Sequence, residues 1–258
     1  MSAPDRRGAL KAALASLAGL TLAACDRITG SAKGMATLDR AEGLTKRAQR
    51  LVLDRTALAR EFPPALISAD FRANGSVNPA DAAYRDHLAA GFSDWKLVID
   101  GLVERPLALS LAELRALPSR TQITRHDCVE GWSDIAKWTG ARLSPLLDRA
   151  GLKREARYIV FHCADDLGGA TLDGSGKYYE SLDLVDAHHP QTILAYEMND
   201  KPLPVAHGAP LRLRVERQLG YKQAKYVMRI EAVAAFDHIA GGKGGFWEDR
   251  GYEWYAGI

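Results

Sequence analysis

Short apolar runs separated by turn residues dominate the chain from Trp95 to its end. Runs rich in β-branched and aromatic residues predict strands, and Gly, Pro and Asp stand between them. These runs cover residues 95–103, 122–131, 156–165, 193–199, 210–217 and 225–236. Without strict strand–helix–strand alternation, this order favours an α+β domain built on twisted sheets.

Helix signals are fewer and lie between the strand runs. Ser110 followed by Glu113 has the capping-box pattern, and Gly151 ends a short helix that opens at Ser144. Residues 181–188 predict another short helix. Nearer the N-terminus, an amphipathic stretch from Leu44 to Arg60 predicts one helix, ended by Pro63 and Pro64, on the flank of the domain.

The first 25 residues have the organisation of an export signal. Arg6 and Arg7 precede a mildly apolar stretch that ends at Ala24, and this order resembles a twin-arginine signal, the route of proteins exported already folded. Leu22 to Cys25 resembles a lipobox, with Cys25 as the residue that takes the lipid, and a plain small-residue cleavage site nearby is the alternative. We therefore expect a signal over 1–25, a tether and flanking helix over 26–69, and a periplasmic domain over 70–258.

Composition excludes several classes of protein. The 258 residues are 47% hydrophobic and 26% charged, with a net charge of +2, so a nucleic-acid partner is not expected. A mean hydropathy of −0.19 excludes a multi-span membrane protein, which leaves a membrane contact only through a lipid on Cys25. Three cysteines are too few for a disulfide scaffold.

Candidate chemistry concentrates at residues 125–140, RHDCVEGWSDIAKWTG. Cys128 follows a strand run, and Arg125 and His126 bring groups that would favour its thiolate. Such a cysteine is a nucleophile or a ligand for a soft metal. Two other interpretations stay open: a zinc or copper site at His126, Cys128 and Cys163, or an envelope lipoprotein in which a Cys128–Cys163 disulfide braces the core.

Three motifs in order resemble the molybdopterin-dependent oxidoreductases of the sulfite oxidase superfamily. They are the Cys128 motif, YYESLDLVDAHHPQTILAYEMN from Tyr178, and HGAPLRLRVERQLGYKQAKYV from His207. The resemblance runs from Asp70 to Ile258 and is greatest to the exported bacterial branch typified by methionine-sulfoxide reductase catalytic subunits. It implies an α+β, sulfite oxidase-type molybdopterin-binding domain with mixed β-sheets and flanking helices, and a molybdenum-molybdopterin cofactor.

The resemblance assigns the groups around the metal. Cys128 matches the single cysteine ligand of molybdenum, which is sensible because a soft thiolate suits this metal. Tyr178 matches a tyrosine on the open side of the metal, with core packing as its alternative and Tyr179 as the alternative exposed ring. Cys163 matches a pterin-contacting position, and His126 is a further candidate for contact with the cofactor.

The resemblance also assigns a cradle for the pterin and its phosphate. His207 and Arg212 match pterin-contacting positions, and Arg72 and Asn74 lie in FRANG, which is similar to a first cofactor loop. A phosphate-binding turn is matched by Gln223, Ala224 and Lys225. Arg and Lys suit a phosphate because their hydrogen bonds to it are charge-assisted.

The implied reaction is oxygen-atom transfer: reduction of an S- or N-oxide, or a sulfite-type oxidation. The sequence has neither a CxxCH haem motif nor a cysteine cluster, so electrons are expected to pass through a separate protein, a cytochrome or a membrane quinone-linked subunit. The Gly-rich, aromatic residues 241–258 are expected to fold back over the domain, near the cofactor entrance.

Overall fold

A computed structural model describes residues 31–168 and 176–258. The described residues divide into two compact units, the first ending at Val52 and the second beginning at Leu53. The export signal and Cys25 lie outside the described residues. No helix among the described residues is long and apolar enough to cross a membrane.

The first unit is described by one helix, α1, Ala32–Val52. It begins and ends earlier than the helix expected from Leu44 to Arg60. Beyond it, the Asp54 carboxylate accepts hydrogen bonds from the backbone N–H of Thr56 at 2.7 Å and from its hydroxyl at 2.5 Å. This local Asx turn competes with helical hydrogen bonds, so the helix ends well before Pro63.

Among the described residues, the second unit contains two five-stranded sheets and four short α-helices. The strands are β1 Lys96–Gly101, β2 Leu107–Ser110, β3 Ser119–Asp127, β4 Ser133–Arg142, β5 Tyr158–Asp166, β6 Lys177–Asp183, β7 Ile193–Met198, β8 Lys201–Pro202, β9 Arg212–Arg214 and β10 Val227–Val233. The helices are α2 Ala82–Ala89, α3 Leu111–Arg115, α4 Leu143–Ala150 and α5 Leu184–Ala187.

The first sheet has the order β2-β1-β10-β5-β6, and only its β1–β10 pair is parallel. The second sheet has the order β3-β4-β7-β8, with β9 paired to β7, and is antiparallel throughout. Side chains from both sheets, including Ile99, Ile230, Leu194 and Leu213, share one buried cluster. The sheets therefore enclose a common core, and the expected α+β class is confirmed.

Each of the six predicted strand runs overlaps a strand, and Ser110 forms the predicted capping box with Glu113. The helix expected over residues 181–188 is wrong in its first part. Strand β6 continues to Asp183, whose carboxylate accepts a hydrogen bond from Asp186 N–H and caps the four-residue α5. The cap fell two residues later than the Ser181 pattern indicated because Ser181 is paired in the sheet with Val160.

Residues 59–68 lie along the second sheet, although the sequence placed them in a tether. Phe62 N–H donates to Ile123 O, and Ser68 N–H donates to Ile135 O, both at 2.9 Å. The Gln191 side chain binds both backbone polar groups of Ala59, at 2.7 and 3.1 Å. These long-range hydrogen bonds depend on strands that follow much later in the chain.

Gly140 tests the pairing of β4 with β7. Its partner is Ala195, and a Cβ at position 140 would lie 2.6 Å from Ala195 Cα. Because backbone cannot yield as a side chain can, Gly140→Ala is expected to lower the free energy of unfolding by about 1–3 kcal/mol, measured by urea denaturation. The control is Gly43→Ala on α1, where nothing lies within 4 Å of the new Cβ. Equal stability of both variants would contradict this close approach.

Candidate active site

Cys128 is the first residue of the loop between β3 and β4. Its N–H donates to Trp132 O at 2.9 Å, and Gly131, at φ +85°, donates back to Cys128 O at 3.0 Å. The loop is therefore a closed turn, with the thiol at the strand end. Cys128 is half-buried and lines a cavity of about 160 Å³.

The cavity gathers residues that are distant in the sequence. Five of the residues singled out by the sequence line it: Asn74, Cys128, Tyr178, Gln223 and Lys225. Its other lining residues are Gly75, Val129, Glu130, Asp165, Leu167, Gly220, Tyr221, Trp247 and Tyr252. The cavity is thus bounded by the β3–β4 loop, the 74–76 loop, strands β5 and β6, the turn before β10 and the C-terminal residues.

Beside this cavity, residues 212–225 carry four buried cations: Arg212, Arg214, Lys222 and Lys225. A buried charge is costly unless it is paired or hydrogen-bonded, so the partners of each cation matter. Arg214 binds the Glu216 carboxylate at 2.6 and 2.9 Å and lies 4.4 Å above the Trp138 ring. Its charge is therefore satisfied within the protein.

Lys225 is held by backbone carbonyls. Its ammonium donates to Asn74 O at 2.6 Å, to Ala206 O at 3.1 Å and, in a short contact, to Ser76 O. These bonds use all three of its donors and fix the 74–76 loop. Because these donors are already used, a phosphate at this amine would compete with the carbonyls. Burial and the nearby Arg212 lower the pKa of Lys225 to about 7.

Arg212 is the least satisfied of the four cations. Its contacts with His207 O and Asn74 Oδ1 are long, at 3.3 and 3.4 Å, and its Nε has no partner. Burial, and then Arg214, lowers its pKa to about 9. Nδ1 of His207 also lacks a partner. Unpartnered donors in a positively charged region fit the phosphate and polar ring edge of a pterin cofactor, although neither side chain lines the present cavity.

His126 lies beneath the Cys128 loop, between the rings of Phe71 and Trp132. It is fully buried, its Nδ1 lies 3.3 Å from Arg214 Nη1, and its Nε2 has no partner. Burial and the arginines Arg212 and Arg214 lower the pKa of His126 well below its usual value. The imidazole is therefore neutral.

The expectation that Arg125 and His126 favour the Cys128 thiolate is wrong. Arg125 pairs with Asp127 at 2.8 Å, and His126 is neutral. Burial is the main cause that raises the pKa of the Cys128 thiol. A bound metal would favour deprotonation of this thiol, because metal binding to cysteine releases the proton.

The alternatives for the cysteines are not formed in the structure. Cys128 and Cys163 are both free thiols, so the disulfide is absent. Within residues 31–168 and 176–258, no three His, Cys, Asp or Glu side chains group as metal ligands. His126 is turned toward Gly220, where a Cβ would lie 2.5 Å from the imidazole ring, and Cys163 is buried in the core. The expected zinc or copper set is therefore not assembled.

Three other expected contacts lie outside the cavity. Cys163 packs within β5, Ala224 accepts a hydrogen bond from Leu213 N–H at 2.8 Å, and Arg72 lies 5.2 Å above the Trp132 ring. Arg72 N–H also donates to Asp134 Oδ2 at 2.9 Å. Ala224 thus contacts strand β9 through its backbone carbonyl, and Arg72 packs against the loop that contains Cys128.

Tyr178 presents its ring to the cavity and its hydroxyl to the protein. The hydroxyl donates to Tyr221 O in a short contact, and the ring stacks on Phe246 with centroids 5.5 Å apart. Tyr179, the alternative, is also buried, and its hydroxyl donates to Asp249 at 2.7 Å. Tyr178 is therefore a wall residue whose hydroxyl already has an acceptor.

Sequence reasoning missed two carboxyl groups in the cavity. Asp165 accepts a short hydrogen bond from the Ser76 hydroxyl, and burial raises its pKa. Glu130 accepts from the indole of Trp132 at 2.9 Å. Each follows a singled-out cysteine by two residues, so the spacing was a usable signal. Tyr252 had no comparable local signal beyond the expectation that residues 241–258 fold back near the cofactor entrance.

Comparison with known families decides the class of this site. The model of the oxidoreductase molybdopterin binding domain matches residues 86–238, more than half of the chain. The chain belongs to this family. It is therefore a molybdopterin-dependent oxidoreductase with a sulfite oxidase-like fold and a molybdenum-molybdopterin cofactor, as the resemblance implied.

Two similar proteins are named as subunits of methionine-sulfoxide reductases. A candidate protein-methionine-sulfoxide reductase subunit, YedZ1 of Azospira oryzae, is 35% identical over 98% of this oxidoreductase and 88% of its own length. The catalytic subunit MsrP of Xanthomonas axonopodis pv. citri is 38% identical over 57% of this chain and 48% of its own. This oxidoreductase thus spans about half the length of that relative.

One solved structure matches less extensively. The sulfane dehydrogenase SoxCD of Paracoccus pantotrophus is 26% identical, with a TM-score of 0.47, over 55% of this chain and 38% of the other.

Lys222 tests the buried charges behind the cavity. Its ammonium lies 2.5 Å from Glu180 and 2.6 Å from Glu248, and these two carboxylates raise its pKa although burial alone would lower it. Lys222→Met leaves two buried carboxyl groups without a cation, so we expect a loss of about 3–5 kcal/mol in the free energy of unfolding.

Urea denaturation measures this loss. The control is Arg229→Met, which removes a more exposed cation paired with Asp100 and Glu231 and is expected to cost under about 1 kcal/mol. A Lys222→Met variant as stable as the control would contradict the role of the buried group.

His207 predicts a pH dependence of stability. Burial, followed by Arg212 and Lys225, lowers its pKa from 6.5 to about 4. A depressed histidine pKa stabilises the fold above pH 6.5, and this contribution is lost as the pH falls from 6.5 toward 4. In cofactor-free protein, the drop in Tm between pH 7 and pH 5 should be smaller for His207→Gln than for the wild type. Identical drops would contradict this prediction, because they would mean that His207 has the same charge in the folded and the unfolded protein at pH 5.

Proposed function

We propose that this oxidoreductase is the catalytic chain of an S-oxide reductase, with Cys128 as the protein ligand of molybdenum. The position of Cys128 is the observation that carries the proposal: its thiol lines the cavity at a strand end, within a motif similar to the family's ligand motif. A thiolate is the soft ligand that this metal would require.

The other residues would hold the organic part of the cofactor. Arg212 and His207 supply buried donors without partners, and Gln223 and Lys225 line the cavity. The bound cofactor supplies two-electron redox chemistry with exchange of an oxygen atom. The protein orients it and excludes water on the side closed by the two sheets.

The reaction balances as R₂SO + 2 e⁻ + 2 H⁺ → R₂S + H₂O. The S–O bond breaks, sulfur is reduced, and the oxygen leaves as water. Protons must reach the cavity, where Asp165 offers a carboxyl group whose pKa is raised by burial. Asp165 is therefore the candidate that holds a proton beside the substrate.

An S-oxide suits this cavity better than sulfite. Glu130 and Asp165 line it, while the Lys225 ammonium is bound by three carbonyls. The Glu130 carboxylate opposes an anionic substrate and leaves a neutral one unaffected, whereas a protonated Asp165 adds no repulsion. The names of the Azospira and Xanthomonas relatives, both methionine-sulfoxide reductase subunits, agree with an S-oxide; an N-oxide is the second substrate class.

Electrons would come from a separate protein, a cytochrome or a membrane quinone-linked subunit. Two relatives are named as a subunit and a catalytic subunit, which supports a second component here. Arg6 and Arg7 support twin-arginine export to the periplasm, and the sequence before Cys25 supports a lipid anchor.

Metal and pterin content, measured together, test the assignment. Wild-type protein from a host that loads molybdoenzymes is expected to contain about one molybdenum per chain and to reduce methionine sulfoxide with a reduced dye. Cys128→Ser should retain pterin and lose turnover, because the metal ligand is removed while the anion contacts remain. Arg212→Ala should instead lose pterin, because a buried cation of the cradle is removed.

The matched control is Arg229→Ala, which removes an arginine paired with Asp100 and Glu231 in the first sheet and should keep wild-type pterin. Wild-type turnover in Cys128→Ser would overturn the ligand assignment. Zinc or copper in place of molybdenum in the wild type would overturn the proposed function.

A further inference from the structure

The cavity has a wall that the matched family region does not supply. That region ends at residue 238, whereas Trp247 and Tyr252 line the cavity together with Cys128. We call residues 241–258 the C-terminal segment.

The first half of the C-terminal segment is anchored by buried polar contacts. Phe246 N–H donates to Tyr179 O at 3.0 Å, which extends the edge of the first sheet. The carboxylate of Glu248 accepts from Lys222 at 2.6 Å, and that of Asp249 accepts from the Tyr179 hydroxyl at 2.7 Å. Residues on both sides of Trp247 are therefore fixed to the domain.

The second half of the C-terminal segment is anchored beside the turn before β10. The Tyr221 hydroxyl donates to Glu253 O at 2.6 Å, and Leu219 N–H donates to Ala256 O at 2.9 Å. Tyr252 is thus also held from both sides. Because these anchors flank both aromatic residues, the wall keeps its place at the cavity.

Trp247 and Tyr252 form a continuous aromatic surface. Their rings stack with centroids 5.3 Å apart and planes 27° apart, and Tyr252 meets Tyr221 edge-on at 5.2 Å. Tyr252 is 40% exposed, so part of its ring is free of contacts with the protein core. A pair of rings at the mouth of a reaction cavity offers apolar contact to whatever enters.

We propose that Trp247 and Tyr252 determine substrate specificity by binding the apolar group that flanks the sulfur of an S-oxide. The inference rests on the proposed function and assigns the substrate side of the same cavity. Aromatic faces bind carbon groups through dispersion and burial, and they make favourable contacts with sulfur. A bulky apolar substituent gains this contact, whereas a methyl group gains little of it.

Two sulfoxides of different size test the proposal. With methyl phenyl sulfoxide, Tyr252→Ala and Trp247→Ala holoenzymes should lose about tenfold in kcat/KM, the loss expected for one good aromatic contact. With dimethyl sulfoxide the loss should be under about threefold. Tyr252→Phe keeps the ring and should behave as wild type. The matched control, Tyr255→Ala, alters a tyrosine of the same segment that does not line the cavity.

Binding of methyl phenyl sulfone, followed by tryptophan fluorescence, gives a readout without turnover. Tyr252→Ala should weaken it about tenfold relative to wild type and Tyr255→Ala. Equal losses for both sulfoxides, or unchanged sulfone binding in Tyr252→Ala, would overturn the proposal. If the wild type reduces neither sulfoxide, the proposed function fails, and sulfone binding still decides the role of the wall.

Discussion

The burial of four cations along residues 212–225 is the constraint on which the rest of this structure depends. Lys and Arg are rarely buried without partners, and Arg212, Lys222 and Lys225 contact parts of the chain that are distant in sequence. Arg214 is neutralised by Glu216 and Lys222 by Glu180 and Glu248, whereas Lys225 has its donors satisfied by backbone carbonyls. Residues 212–225 thus connect several distant elements of the second unit.

These partnerships assemble the site. Lys225 fixes the 74–76 loop, and Lys222 fixes the C-terminal segment through Glu248. Both of these elements line the cavity that contains Cys128. Arg212 differs, because its Nε has no partner. Three of the buried cations have their hydrogen-bond donors satisfied within the protein, and Arg212 keeps a donor for an anionic cofactor. The same group of cations therefore serves both the fold and the binding of the cofactor.

Much of the fold could be predicted because its signals are local. Six strand runs, the Ser110–Glu113 capping box and the Gly151 helix end depend on residues close in sequence. Strand β6 was missed because Tyr178 to Ser181 have a pattern that suits either a buried strand or a helix, and pairing with β5 decides it. The path of residues 59–68 likewise depends on hydrogen bonds to Ile123, Ile135 and Gln191.

The sequence by itself determined the class of this protein, since its motifs carry the family resemblance and the cysteine at residue 128. It also identified two of the four buried cations, Arg212 and Lys225. Only the tertiary structure decided their partners, because charge neutralisation in a core depends on which elements are packed together. Tertiary packing likewise decides the state of the Cys128 thiol, whose pKa is raised mainly by burial, and it brings Trp247 and Tyr252 together as an aromatic wall.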